Sequence, residues 1–312
     1  NETLAGSMLR HIHPETLKSL QNTNYRDMSF EELEALMKAG DTEQGQMDIS
    51  EEIMTRLSDA LSYEEDVATM LEANDMQNTM TNIIAAQQVM FGADGIYGMM
   101  HGLKSGLSRE ARDRITRQEE RILDNLESKE NVMYGLEGLR ASLSEAVHAK
   151  ETDGTITAKD IQSLKYMNAG MPIALRAVEQ DSFQVPLVVG DEVSIMKVSI
   201  LRDGDNAGEI RATMNTDRYG ELEALIHVSG SQAEGYIVTE EEMGQRKLED
   251  NELTLRSAFA KAGLEMRDVR LDGSKPVQYA DESSGTVETS RLYKTAKQLL
   301  TAIKLMGVVA DI

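Results

Sequence analysis

Near residue 181 the spacing of apolar residues changes from three and four to two. A chain that makes this change once is committed to a helical part followed by a sheet, because a helix returns to the same face every 3.6 residues and a strand every second one. Downstream, apolar and polar residues alternate. Met196, Val198 and Ile200 share one face, as do Ile210, Ala212 and Met214, and then Leu222, Ala224, Ile226 and Val228. Turn residues separate the runs: Gly190-Asp191, Asp203-Gly204-Asp205-Asn206, Asp217-Arg218-Tyr219-Gly220 and Ser229-Gly230-Ser231. Glycine, Asp and Asn tolerate the backbone conformations that reversals require. A helix over about Glu241–Ala262, with Leu248, Leu255 and Phe259 on one side, should then lead to a last strand at "LEMRDVRL". A polar loop at Ser283–Thr286 and an amphipathic helix over residues 288–306 complete the expectation.

Upstream, helices are signalled by their caps. "SFEELEALMKAG" opens with Ser29 as cap and Glu32 closing a capping box, and stops at Gly40. "SEEIMTRLSDAL" repeats the logic with Ile53, Leu57 and Leu61. "SYEEDVATMLEA" does so with Ser62, Glu65 and the stripe Val67, Met70 and Leu71. From Ser108 to about Lys150, Ile115, Ile122, Leu126, Met133, Leu136, Leu143 and Val147 keep a bundle or short coiled-coil period. Further helices are expected at about Ala158–Asn168 and Pro172–Glu179. "IYGMMHGLKSGL" and "MYGLEGLRASL" echo each other, either as a degenerate repeat or, preferably, as two similar glycine-punctuated helices. The sequence thus predicts an α+β chain. Residues 1–28 are expected to be mobile, 29–180 helical, and 181–312 a small, mostly antiparallel sheet with a packed helix and a C-terminal helix.

Composition narrows the function classes. The formal charge is −22, from 32 Lys and Arg against 54 Asp and Glu. Nucleic-acid binding needs a basic surface that releases phosphate counterions, and the Arg109–Arg121 region is the largest basic cluster here, so no nucleic-acid partner is expected. The same acidity disfavours an anionic membrane surface. "IIAAQQVMFGADGIYGMMHGL" (Ile83–Leu103) has the length of a membrane span but contains Gln87, Gln88, Asp94 and His101, each costly in hydrocarbon. It reads as a buried helix, a glycine-rich break and another helix, without membrane insertion. There is no Cys, which removes disulfides, thiolate metal sites and Cys nucleophiles together. The chain opens on Asn1 rather than Met, as a piece of a longer protein would, and no stretch within it reads as a signal peptide.

No catalytic, cofactor or metal constellation is expected. Placing Gly154 of "KETDGTITAKDI" at the sixth position of a calcium loop puts Ala149 where the first carboxylate belongs. A turn followed by Thr157 as a helix cap is the preferred reading. His11 and His13, even with Glu2 and Glu15 near in sequence, would need carboxylates from distant parts of the chain to complete a four-ligand zinc site, so a mobile terminal His-x-His is the preferred reading. His227 alternates with its strand's apolar face and should point to solvent. There is no Gly-x-Ser-x-Gly elbow, and "GADGIYG" has neither the spacing nor the context of a phosphate loop. With 54 acids, a carboxylate pair carries no information.

Residues 218–271, within a stretch of about 185–271, resemble the C-terminal domain of the flagellar hook-length control protein family. The features that carry the resemblance are Gly220-Glu221-Leu222 opening a strand, the Ser229–Ser231 turn, and the strand end Tyr236–Val238. Leu255-Arg256 with Phe259 on a helix, Gly263-Leu264, and the strand Val269–Leu271 follow in order. The resemblance implies a non-catalytic protein, exported from the bacterial cytoplasm by the flagellar type III apparatus, that acts in the export substrate-specificity switch. It also implies a membrane-embedded export-gate component as partner and no cofactor. Gly220, Glu221, Leu222, Leu255, Arg256, Gly263 and Leu264 are then the candidate partner-binding residues.

Two features depart from the family pattern. Its N-terminal region is usually extended and often Pro-rich, whereas residues 29–180 contain one Pro and read as packed helices. A regular helix at 288–306 also replaces a polar tail. The alternatives are a cytoplasmic adaptor that binds a partner helix through Met-rich faces, since the chain has 19 Met, and a hydrolase using acids of the helical half.

Overall fold

A computed structural model of the chain describes residues 65–77, 79–189, 192–203, 207–275 and 288–307. The expected helices over 29–40 and 50–61, the mobile segment 1–28, His11, His13 and the Ser62 cap lie outside the described residues, as do Gly190-Asp191, Gly204–Asn206 and the loop Ser283–Thr286. The chain divides into two compact units, residues 1–103 with 150–176, and 104–149 with 177–312.

Within the first unit, α1 (Glu65–Ala73) buries Val67 and Leu71, as its stripe predicts. Thr79 caps α2 (Met80–Phe91), its hydroxyl accepting from the Asn82 N–H at 3.3 Å. After the break at Gly92, α3 (Gly95–Lys104) buries Ile96, Tyr97, Met99, Met100 and Leu103. The helix, break and helix expected over Ile83–Leu103 are therefore present. Among the described residues no helix is long and apolar enough to cross a membrane.

The two helices expected around Pro172 are one, α6 (Ala158–Glu179), with the proline inside it. Pro172 lies on the exposed face between buried Met171 and Ile173, so the lost N–H and the carbonyl it leaves unbonded face water. Gly170 explains how closely α6 packs: a Cβ there would stand 3.0 to 3.1 Å from Val89, Ile96 and Met99. Before α6, Thr157 and Asp160 form a reciprocal capping box. The Thr157 hydroxyl accepts from the Asp160 N–H at 3.2 Å, and Asp160 accepts from the Thr157 N–H at 2.8 Å.

The second unit contains α4 (Arg109–Asp124), α5 (Lys129–Thr152) as far as Ala149, and the sheet. The period that runs from Ser108 to Lys150 is thus interrupted: buried Leu126 sits in the turn and Ser128 accepts from the Asn131 N–H. These two helices were expected to belong with the helical part, but they group with the sheet. The echo between "IYG" and "MYG" does not extend to packing, because Tyr97 is 0% exposed and Tyr134 is 81% exposed.

The sheet has six strands in the order of the chain: β1 (Ser182–Val189), β2 (Glu192–Asp203), β3 (Ala207–Thr216), β4 (Gly220–Ser229), β5 (Gln232–Thr239) and β6 (Glu265–Arg270). The first five form an antiparallel meander, and β6 runs parallel to β5. Parallel neighbours need a crossover, here α7 (Glu242–Asp250) and α8 (Glu252–Lys261). The alternation predicted from sequence is the burial observed. Val198, Ala212, Ala224 and Ile237 form one row across four strands, and every apolar residue named above for β2, β3 and β4 is buried.

The C-terminal helix α9 (Thr289–Leu305) packs on β1, β2 and β3, with α4 on β1 and α8 against β6 and α9. Phe183 stacks on Tyr293 with ring centroids 5.6 Å apart, and Gly208 leaves room for Leu292. Leu248, Leu255 and Phe259 are all buried, but the single helix expected over Glu241–Ala262 is two. Asn251 interrupts it with φ −110° and ψ 19°, and its side chain donates to the Lys247 carbonyl at 2.8 Å. An Asn side chain that competes for backbone acceptors is a known helix terminator.

Candidate docking surface

The partner-binding candidates do not form one surface. Leu222, Leu255 and Leu264 are buried in the core between sheet and helices. Gly220 and Gly263 adopt φ of +68° and +80°, which glycine alone accepts cheaply, so their role in the fold is to turn the chain. Glu221 is exposed beside Glu240. Arg256 pairs with Glu252 and donates to the Met266 carbonyl at 3.3 Å, tying α8 to β6. Gly220 starts β4, whereas Glu265, just after Gly263-Leu264, bonds Ser231 at the far end of the β4–β5 hairpin. At about 3.4 Å per residue the two ends are about 30 Å apart.

In open α/β sheets the C-terminal ends of parallel strands are where a ligand crevice forms. Here that position, beyond β5 and β6, is filled. Buried Gln245 accepts from the Thr239 N–H at 3.2 Å and donates to the Leu271 carbonyl, spanning the two strand ends. Gly244 lets α7 approach Tyr219 and Thr239. Lys247 lies 5.4 Å from the Tyr219 ring centre and donates to the Gly307 carbonyl at 2.6 Å, which anchors the end of α9 to α7. These groups satisfy one another, and the arrangement is a structural knot.

The face of the sheet turned away from α9 carries the arrangement best suited to recognition. Leu225, Tyr236 and Val238 form a small apolar cluster on it, with Leu225 and Tyr236 directly paired. Tyr236 donates its hydroxyl to Glu223 at 2.7 Å, and Lys275 binds the other Glu223 oxygen while sitting 5.3 Å above the Tyr236 ring. Burial works to raise the Glu223 pKa, but the bonds from Lys275 and Tyr236 outweigh it and hold the carboxyl below the usual carboxylate range. With all three apolar residues buried, the parts of this group that face outward are the partly exposed Glu223 and the exposed Lys275.

His227 belongs to this face and corrects the expectation that it points to solvent, being 9% exposed. It lies on an interior strand between its register partners Glu209 and Glu234, whose strands flank it on both sides. Sequence alternation identified its face but not its burial. The Glu223–Lys275 pair is 52 residues apart and could not be read from spacing. The paired positions of Glu223, Leu225 and Tyr236 on a hairpin were the available signal.

Two further ion pairs and a phenol have structural partners. Glu119, fully buried on α4, pairs with Lys104 at 2.5 Å. Burial would raise the Asp160 pKa, yet Lys150 at 2.6 Å and Thr157 keep the carboxyl low. Burial, and then the bond to Asp181 at 2.7 Å, push the Tyr293 phenol well above its usual value. Among the described residues no three His, Asp or Glu side chains converge as metal ligands. The fold and this surface define an α+β chain with a mixed apolar and charged sheet face. Comparison with family models, curated proteins and solved structures returns no match.

Proposed function

We propose that this is a non-catalytic flagellar protein that acts as hook-length control proteins do, in switching the export apparatus from one substrate class to the next. On this reading it is made in the bacterial cytoplasm and exported by the type III route. Its sheet unit engages a membrane-embedded component of the export gate. The observation that supports the reading is that residues 218–271, which carry the resemblance, make one continuous piece of structure: hairpin β4–β5, crossover α7–α8 and strand β6. Glu223 and Tyr236 lie on the same piece, and with Lys275, just past its end, they offer a charged docking point.

Secretion tests it. The full-length protein is expressed in its own flagellated host, and the medium and hook lengths are assayed with and without the gene. Export together with overlong hooks in the deletion strain is the expected result. Retention in the cytoplasm with normal hooks would refute the proposal and leave the adaptor reading in its place.

A further inference from the structure

An open sheet has two edges, and here only one is closed to a further strand. Along β1 the Ile200 N–H bonds the Asp181 carbonyl, and by alternation the backbone of Ser182, Gln184, Pro186 and Val188 faces away from β2. Pro186 has no N–H to offer there, and α4 packs on the same strand, so this edge rejects an added strand. β6 lies at the other edge and contains no proline. Its Glu265 N–H bonds the Ser231 carbonyl, which turns the backbone of Met266 outward. The register then passes over Arg267 and pairs Asp268 with Glu234, so Val269 is the next residue whose backbone faces the open edge.

The residues of this edge are complementary to themselves. In "LEMRDVRL" (Leu264–Leu271), an antiparallel pairing about a two-fold axis between Arg267 and Asp268 sets Leu264 opposite Leu271, Glu265 opposite Arg270, Met266 opposite Val269 and Arg267 opposite Asp268. Every charge meets its opposite and every apolar residue an apolar one. The same register brings the outward backbones of Met266 and Val269 face to face, so hydrogen bonds and side chains demand one alignment. A slip of one residue either way would set Arg267 against Arg267 or Asp268 against Asp268, and like charges directly opposed repel. Within one copy these side chains are loosely engaged. Arg267 and Arg270 stand 3.8 Å from Glu234 and Asp268, Arg267 donates to Gln232 at 3.2 Å, and Glu265 has no ion pair among the described residues. Arg256 reaches the Met266 carbonyl at 3.3 Å, which leaves that oxygen a second acceptor position, while a 2.6 Å contact with Glu252 keeps the arginine on α8. We propose that β6 pairs antiparallel with β6 of a second copy, in a two-fold dimer whose sheets run on as one. The inference rests on the fold of the sheet unit and not on the flagellar reading.

The test is the mass of the full chain in solution, followed by sedimentation velocity over a range of concentrations. A rise from 34.6 kDa toward twice that mass is expected. Glu265→Arg and Arg270→Glu each put like charges together at both ends of the pairing and should weaken the dimer by about tenfold or more. Mixed in equal amounts, the two variants should pair with each other, since each supplies the charge the other needs, and that recovery also shows that both are folded. Arg256→Ala, which frees the Met266 carbonyl, should tighten the dimer. A mass that stays at 34.6 kDa up to about 1 mM would overturn the proposal. So would a dimer that neither charge reversal weakens, or two variants of native circular dichroism that stay monomeric when mixed.

Discussion

Two glycines three residues apart on α5 allow a contact to be weighed with the helix term held constant. Gly135 and Gly138 both lie in the helix interior, where Gly→Ala alone stabilises by about 1 kcal/mol. At Gly138 the new methyl group enters open space, so Gly138→Ala should raise stability by about that amount. At Gly135 it would stand 2.9 Å from Ile122 Cγ1, an atom of a buried, β-branched side chain that cannot swing away. Overpacking of this kind costs about 1–3 kcal/mol, so Gly135→Ala should be neutral to destabilising, and the two variants should differ by about 1–3 kcal/mol. Urea unfolding followed by far-ultraviolet circular dichroism reads the difference. In an Ile122→Ala background the penalty should vanish and Gly135→Ala should stabilise like its neighbour, which closes a double-mutant cycle. Equal stabilisation by both glycine replacements in the parent chain would refute the close α4–α5 approach.

Phe259 is fully buried against the sheet, and Phe259→Ala should cost about 3–5 kcal/mol, seen as a lower unfolding midpoint; an unchanged midpoint would remove the face assigned to α8. Asp160→Ala removes the capping box and the Lys150 pair together and should cost about 1.5–3 kcal/mol, measured by the same unfolding. Because the folded Asp160 carboxyl titrates below its unfolded value, its contribution is full above the unfolded value of about 4 and is lost as pH falls through the folded one. The stability gap between the parent and Asp160→Ala should therefore be constant near neutrality and close in acid; a gap independent of pH would exclude the ion pair as its source. Lys275→Ala should raise the Glu223 pKa, detectable by carboxyl NMR titration, since Lys275 is the main group holding it down.

What the sequence made legible was period. The alternation from Met196 to Val228 predicted which residues of β2, β3 and β4 are buried, and the stripe of residues 288–306 predicted α9, because both patterns are enforced by a single covered face. Punctuation was read less well. Pro172 looked like a boundary but sits harmlessly on an exposed face, whereas Asn251, an unremarkable residue inside a periodic stretch, ends a helix through its own side chain. Tertiary choices were invisible: nothing local tells α4 and α5 to join the sheet unit, or brings Lys275 to Glu223. The motif residues taken from the resemblance were legible as structure. Gly220 and Gly263 mark turns and Leu222, Leu255 and Leu264 mark core, and for that reason they do not outline a surface.

The strand order of the sheet repeats the order of the chain, and this has a mechanical consequence. Each strand pairs only with its neighbours in sequence, which keeps contacts local and favours rapid folding as the chain emerges. Under tension applied at Asp181, β1 would leave β2 one hydrogen-bonded pair at a time, as a zipper opens, and β2 would then be exposed to the same pull. Tyr293, stacked on Phe183 and bonded to Asp181 from near the end of the chain, and α4, packed on β1, resist that first step. Such a sheet can be stable at rest and still yield strand by strand to a pull from one end.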